Sequence, residues 1–182
     1  MKKTNVIIAA ALSMVVLFGA AIPAKAASTE VTIEVKETIM DNVSVTVPTN
    51  LPIIFNEDGT NTLPTNWSIE NISTIAGIHL AQIEMDGSGT GWKLLAESED
   101  TKTMPVDSKA IQFSVGKEGA LKMVVPNTGS ENSQGAVTFL ADEISIPSGE
   151  TQVLSFEVER GAFTKSTASS KAFDMVLTFE FN

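Results

Sequence analysis

Cysteine is absent from the 182 residues. That excludes disulfides, a thiolate nucleophile, cysteine-based zinc sites and the lipid-bearing cysteine of a lipoprotein anchor. Histidine is nearly absent, since His79 is the single one. One histidine without cysteines leaves zinc short of ligands, and no Gly-x-Ser-x-Gly elbow points to a catalytic triad. His79 is therefore expected to be a hydrogen-bonded structural residue. Positive charge is scarce as well, with 12 Lys and Arg against 22 Asp and Glu. No basic cluster with interleaved aromatics relieves that balance, which argues against a nucleic-acid partner and for colloidal solubility outside the cell. Helical periodicity is rare in the remainder of the chain.

What is present begins with an export signal. Lys2 and Lys3 form a positive n-region, Val6 to Ala20 an apolar run, and Pro23 a helix break before Ala24-Lys25-Ala26. The small residues three and one positions before the cut fit a signal peptidase, which places cleavage between Ala26 and Ala27. The apolar run, about 15 residues, is short of the ~20 a spanning helix needs. Residues 1–26 are thus a signal peptide, and 27–182 the exported chain, with no membrane association after cleavage. Losing Lys2, Lys3 and Lys25 leaves nine basic residues against 22 acids, a net charge of −13. The chain ends in a strand-like segment, so neither a covalent wall-sorting signal nor a C-terminal membrane anchor is expected. Taken together these features predict a secreted, extracellular or wall-associated location.

Apolar residues of the exported part recur with period two, the pattern of strands with one face on a core. Val31, Ile33 and Val35 alternate with polar residues, as do Val43, Val45 and Val47 before Pro48. A long β region is expected over Trp67–Met85, framed by turn residues at Asn56–Gly59 and Asp86–Gly89. Later strands are expected at Trp92–Ala96, Ala110–Val115, Leu121–Val125, Ala136–Phe139, Gln152–Glu159 and Phe173–Phe181, with Thr164–Lys171 a Ser/Thr-rich loop. Many short strands without helices predict one all-β domain, an antiparallel β-sandwich of roughly nine strands. In the last strand Phe173, Met175, Leu177, Phe179 and Phe181 share one face. Their full burial would contribute on the order of 10 kcal/mol gross.

The segment Gly87-Ser88-Gly89-Thr90-Gly91-Trp92-Lys93-Leu94 resembles the first signature of the WxL domains of Gram-positive bacteria, in which a polar, Gly-rich stretch leads into Trp-x-Leu. The second signature of that family falls near the C-terminus, where this chain has Leu177-Thr178-Phe179-Glu180-Phe181, with Phe in place of both Trp and Leu. The resemblance covers most of the exported chain and implies a β-sandwich that binds the cell wall noncovalently, with peptidoglycan or another wall polymer as partner. On this reading Trp92, Leu94, Trp67, Phe179 and Phe181 are candidate ligand contacts.

The residues themselves leave two roles open for the indoles. Trp92 and Trp67 either form an exposed platform that stacks on sugar rings or pack in the core with their N–H groups paired. Leu94, two residues beyond Trp92, belongs to the same strand face and reads as core. Acid-rich loops at Asn56, Glu57, Asp58 and Asn61, and at Glu97, Glu99 and Asp100, offer hard oxygens for calcium. Neither matches an EF-hand loop, and both read as solvated surface. No metal, cofactor or enzymatic activity is expected. Besides the wall-binding module, two roles stay open. One is a self-assembling extracellular subunit that lends Thr29–Thr38 to a neighbouring copy as an added strand. The other is a wall-glycan hydrolase, which would need paired carboxylates in a groove.

Overall fold

A computed structural model describes residues 27–37, as backbone, and 44–56, 58–129, 131–164 and 170–182. The predicted signal peptide, Thr38–Val43, Glu57 and most of the Ser/Thr-rich loop lie outside the described residues. Fifteen strands follow in order: β1 Ala27–Glu37, β2 Val45–Thr46, β3 Asn50–Phe55, β4 Asn61–Thr62, β5 Ser68–Asn71, β6 Ile78–Asp86, β7 Lys93–Leu94, β8 Ala110–Lys117, β9 Ala120–Met123, β10 Val125–Pro126, β11 Gln134–Thr138, β12 Ser145–Ile146, β13 Thr151–Val153, β14 Ser155–Arg160 and β15 Ser170–Phe181. Nine of them have four residues or more. A single 3-10 turn, Thr101–Thr103, is capped by Asp100 and is the helical element among the described residues.

The strands form three sheets. The largest runs β10-β11-β6-β15-β1-β3-β4, with β12 also paired to β6; the others are β13-β5-β2 and β14-β8-β7, with β9 on β8. Most pairs are antiparallel, as the alternating pattern predicts. Two are parallel: β1 with β15 and β7 with β8. One contiguous core joins all three sheets, taking Leu51, Ile83 and Leu177 from the first, Ile69 from the second and Phe113 and Val158 from the third.

Strand β15 carries the densest apolar alternation and lies between β6 and β1. Phe173, Met175, Leu177 and Phe179 are fully buried, whereas Phe181 is 38% exposed. The expected five-residue buried face is therefore four residues long. A register irregularity between Thr178 and Phe179 accompanies the change, and the last pair, Phe181 with Ile78, sits at the sheet's rim.

Three expectations are revised. The region Trp67–Met85 is two strands, because Asn71 organises a loop: its buried amide donates to Ala76 O (2.9 Å) and Ile146 O (3.0 Å), and its Oδ1 accepts from Ser73 N. Strand β3 stands where none was expected. Its Pro52 is tolerated because β4 covers only Ile54 and Phe55, so the outer side of β3 at Pro52 is a sheet edge. Strand β15 begins at Ser170, inside the expected loop.

Candidate functional site

The Gly-rich turn before Trp92 is held by its own backbone chemistry. Gly89 and Gly91 adopt φ of +78° and +80°, a region that penalises a Cβ. Gly87 N donates to Ser133 O at 2.7 Å, and a Cβ on Gly87 would stand 2.7 Å from the Phe173 ring. The Thr90 hydroxyl lies 2.7 Å from Gly87 O and 2.8 Å from Ala172 O, and it accepts from Trp92 N at 3.1 Å. The turn is thus docked on the first residues of β15, the strand whose far end carries Leu177–Phe181. The turn and the start of β15 form one packed unit, joined at Ala172 and Phe173.

Within that unit the indole of Trp92 points inward. It is 4% exposed and packs among Phe55, Phe163 and Phe173, with ring centroids 5.8, 6.2 and 6.4 Å away. Trp67 is 3% exposed, lies edge-on to Phe156 and donates its Nε1–H to Asn50 O at 3.1 Å. The exposed sugar-stacking platform is accordingly overturned: each indole is enclosed by core rings, Trp92 by Phe55, Phe163 and Phe173 and Trp67 by Phe156. Leu94 and Phe179 are fully buried too, and of the five candidate contacts only Phe181 reaches solvent. Trp92 differs from Trp67 in one respect. Its Nε1 has no hydrogen-bond partner, a state it shares with Ser108 Oγ among the buried side-chain atoms of the described residues.

His79 is buried in β6. Its Nδ1 lies 3.1 Å from Asn182 Oδ1, and its Nε2 lies 3.6 Å from Glu180 Oε2. Asn182 in turn donates to Ile78 O and Ser145 Oγ, so the ring helps fasten the end of β15, as expected of a structural histidine.

The acid-rich loops use their oxygens internally. Asp58 Oδ1 accepts from Thr60 N and Thr60 Oγ1, and Asn61 joins β4 to β14 through Val158 O and Arg160 Nε. Glu99 Oε2 accepts from Ala96 N, and Asp100 Oδ1 from Lys102 N. Among the described residues no three His, Cys, Asp or Glu side chains gather to hold a metal. Glu57 lies outside the described residues.

What sequence reasoning missed is an open groove of about 560 Å³ between β9 and the β10–β11 edge, lined in part by Glu97, Lys122, Val125, Ala136 and Thr138. It is open to solvent, nearer a surface depression than an enclosed cavity. Lys122 is fixed there: its Nζ is 2.5 Å from Glu143 Oε2, 3.3 Å from Thr138 O and 5.6 Å from the Phe139 ring centre. The hydrogen bond from Lys122, with a second from Leu140 N, holds the Glu143 carboxyl below its ordinary range. Val125 and nearby Leu140 stay 61% and 68% exposed, leaving apolar surface beside a positioned cation. No sequence signal marks the groove, because its residues come from four separate segments and Val125 reads as a core position.

Fold and site together define an all-β, sandwich-like protein with a mixed polar and apolar surface groove. No family model, curated protein or solved structure matches the chain.

Proposed function

We propose that the chain is an exported, non-enzymatic surface module that associates noncovalently with a Gram-positive cell wall, in the manner of WxL domains. The observation that carries this reading is the docking of Gly87–Leu94 onto the start of β15. Such packing ties the first signature-like segment to the strand that carries the second, and burial makes the Phe-for-Trp departure at Phe179 a core substitution of one buried aromatic for another. The signal-peptide pattern at 1–26 supplies the route out of the cell.

Since Trp92, Leu94, Trp67 and Phe179 are buried, the wall contact belongs elsewhere on the surface. The groove beside Lys122 suits a wall polymer, because exposed Val125 offers apolar area for sugar rings while Lys122, Glu97 and Thr138 offer polar and charged groups. A binding role fits better than hydrolysis, because Glu97 is the single carboxylate among the described residues that line the groove, and glycoside hydrolysis uses a pair.

Fractionation of a Gram-positive host expressing the full precursor tests the reading. Processed protein should sediment with the walls and be released by concentrated salt or denaturant without a wall-degrading enzyme. Recovery only from the medium, or only from the cytoplasm, would contradict it.

A further inference from the structure

Strand β1 holds an unusual place. It is the first strand after the expected cleavage site, yet it is interior to the largest sheet, parallel to β15 from Thr29 to Glu37 and antiparallel to β3 from Ala27 to Thr32. These are its two ladder partners. Without β1 the sheet divides into β10-β11-β6-β15 and a detached β3–β4 pair, so both β15 and β3 would present open edges.

The vacated slot would be long and apolar. Its β15 side holds Phe173, Met175 and Leu177 at the register positions of Val31, Ile33 and Val35, and its β3 side holds Leu51 and Ile53 at those of Val31 and Thr29. All five of those slot residues are fully buried in the closed chain. Two open edges over such a surface recruit an extended strand strongly.

We propose that β1 is an exchangeable strand: the β1 of one copy fills the β15–β3 slot of a second copy in the same register, linking copies head to tail. Three features favour a second copy as the occupant. The slot is already matched residue by residue to this sequence. Strand β1 is joined to β2 by seven residues, Thr38–Ser44, which span up to about 25 Å when extended, so transfer to a neighbour leaves the rest of the fold in place. Closure within one chain must bring the first strand to the last, the most distant pairing in the sequence, and a crowded cell surface sets neighbouring β1 strands in competition with that closure. Head-to-tail exchange is a heterologous contact, which extends into filaments unless a ring closes. The proposal rests on the surface location proposed above but not on wall binding, and its test reads chain linkage instead of wall affinity.

The absence of cysteine makes a crosslinking test clean. Thr32 and Asn50 face each other across the antiparallel β1–β3 ladder, a spacing that a disulfide bridges. The exported chain carrying Thr32→Cys and Asn50→Cys together is refolded over a range of concentrations, oxidised, and run on non-reducing gels after circular dichroism has established a folded β spectrum. Exchange shifts material into a covalent ladder of multiples that grows with concentration. Lys36→Cys with Thr178→Cys, a pair on the β15 side, should give the same ladder should the first pair fold poorly. Thr32→Cys with Gly129→Cys, the latter in an exposed turn, reports random collision. Crosslinked monomer alone at every concentration, no crosslink by either registered pair, or an equal ladder from the collision pair would each overturn the proposal.

Discussion

Replacing each tryptophan by phenylalanine should separate the two indoles energetically. Both are nearly buried, at 3% and 4% exposure, so each substitution loses a similar volume and leaves a similar void. The polar ends differ. Trp67→Phe deletes the bond to Asn50 O, a net loss of about 0.5–1.5 kcal/mol. Trp92→Phe instead removes a buried N–H with no partner, relieving a desolvation penalty of roughly 1–3 kcal/mol. A phenyl ring at position 92 also keeps an aromatic face toward Phe55, Phe163 and Phe173. Trp67→Phe should therefore destabilise by about 1.5–4.5 kcal/mol more than Trp92→Phe. Urea unfolding at equal m-values reads this as a lower midpoint for Trp67→Phe. A Trp92→Phe variant that is as destabilised as Trp67→Phe, or more so, would refute the assignment of an unpaired indole N–H.

Other perturbations follow from the same packing. Gly87→Ala sets a methyl group against the Phe173 ring and should cost about 1–3 kcal/mol in urea unfolding. Phe179→Ala should cost about 3–5 kcal/mol, whereas Phe181→Ala at the rim should cost well under 1 kcal/mol. Acid should weaken the fold. Asp86 is held below its ordinary 3.8 first by the Ser88 side chain and then by Ser88 N and Gln134, with burial opposing. A depressed native pKa contributes stability above the unfolded value that is lost as pH falls through the native one. Thermal melts stepped from pH 6 to pH 2 should show that loss below about pH 4, and Asp86→Asn should flatten it.

Strands with strict alternation were legible in the sequence because burial on one face leaves a period-two imprint. Strand β15 carries it through Phe173, Met175, Leu177 and Phe179; the strand expected over Gln152–Glu159 is instead two, β13 and β14, which part at Leu154 to join different sheets. Strand β3 escaped because Leu51-Pro52-Ile53-Ile54-Phe55 does not alternate cleanly and proline argues against a strand. The break after β5 escaped because Asn71 is a buried organiser: it stands two residues after Ile69, on the inward side of the alternation, and the isoleucines around it read as a continuing strand. The parallel pairing of β1 with β15 joins the two extremes of the chain, and no local pattern encodes so distant a partner. The indoles were ambiguous for a related reason: a tryptophan at a strand entry has the same local sequence whether it turns toward Phe173 or toward solvent. The groove at Lys122 depends on residues gathered from four segments, which no spacing rule connects.

Wall association is tested most directly by sedimenting purified protein spanning Ala27–Asn182 with protein-free Gram-positive cell walls, beside a folded variant carrying Val125→Glu and Thr138→Glu in the groove. Both positions are exposed, so the variant should retain the wild-type unfolding midpoint. The account predicts saturable binding by the wild type and its loss in the groove variant. Wild-type protein that stays in the supernatant at every wall concentration would contradict it, and equal saturable binding by both proteins would move the contact away from the groove.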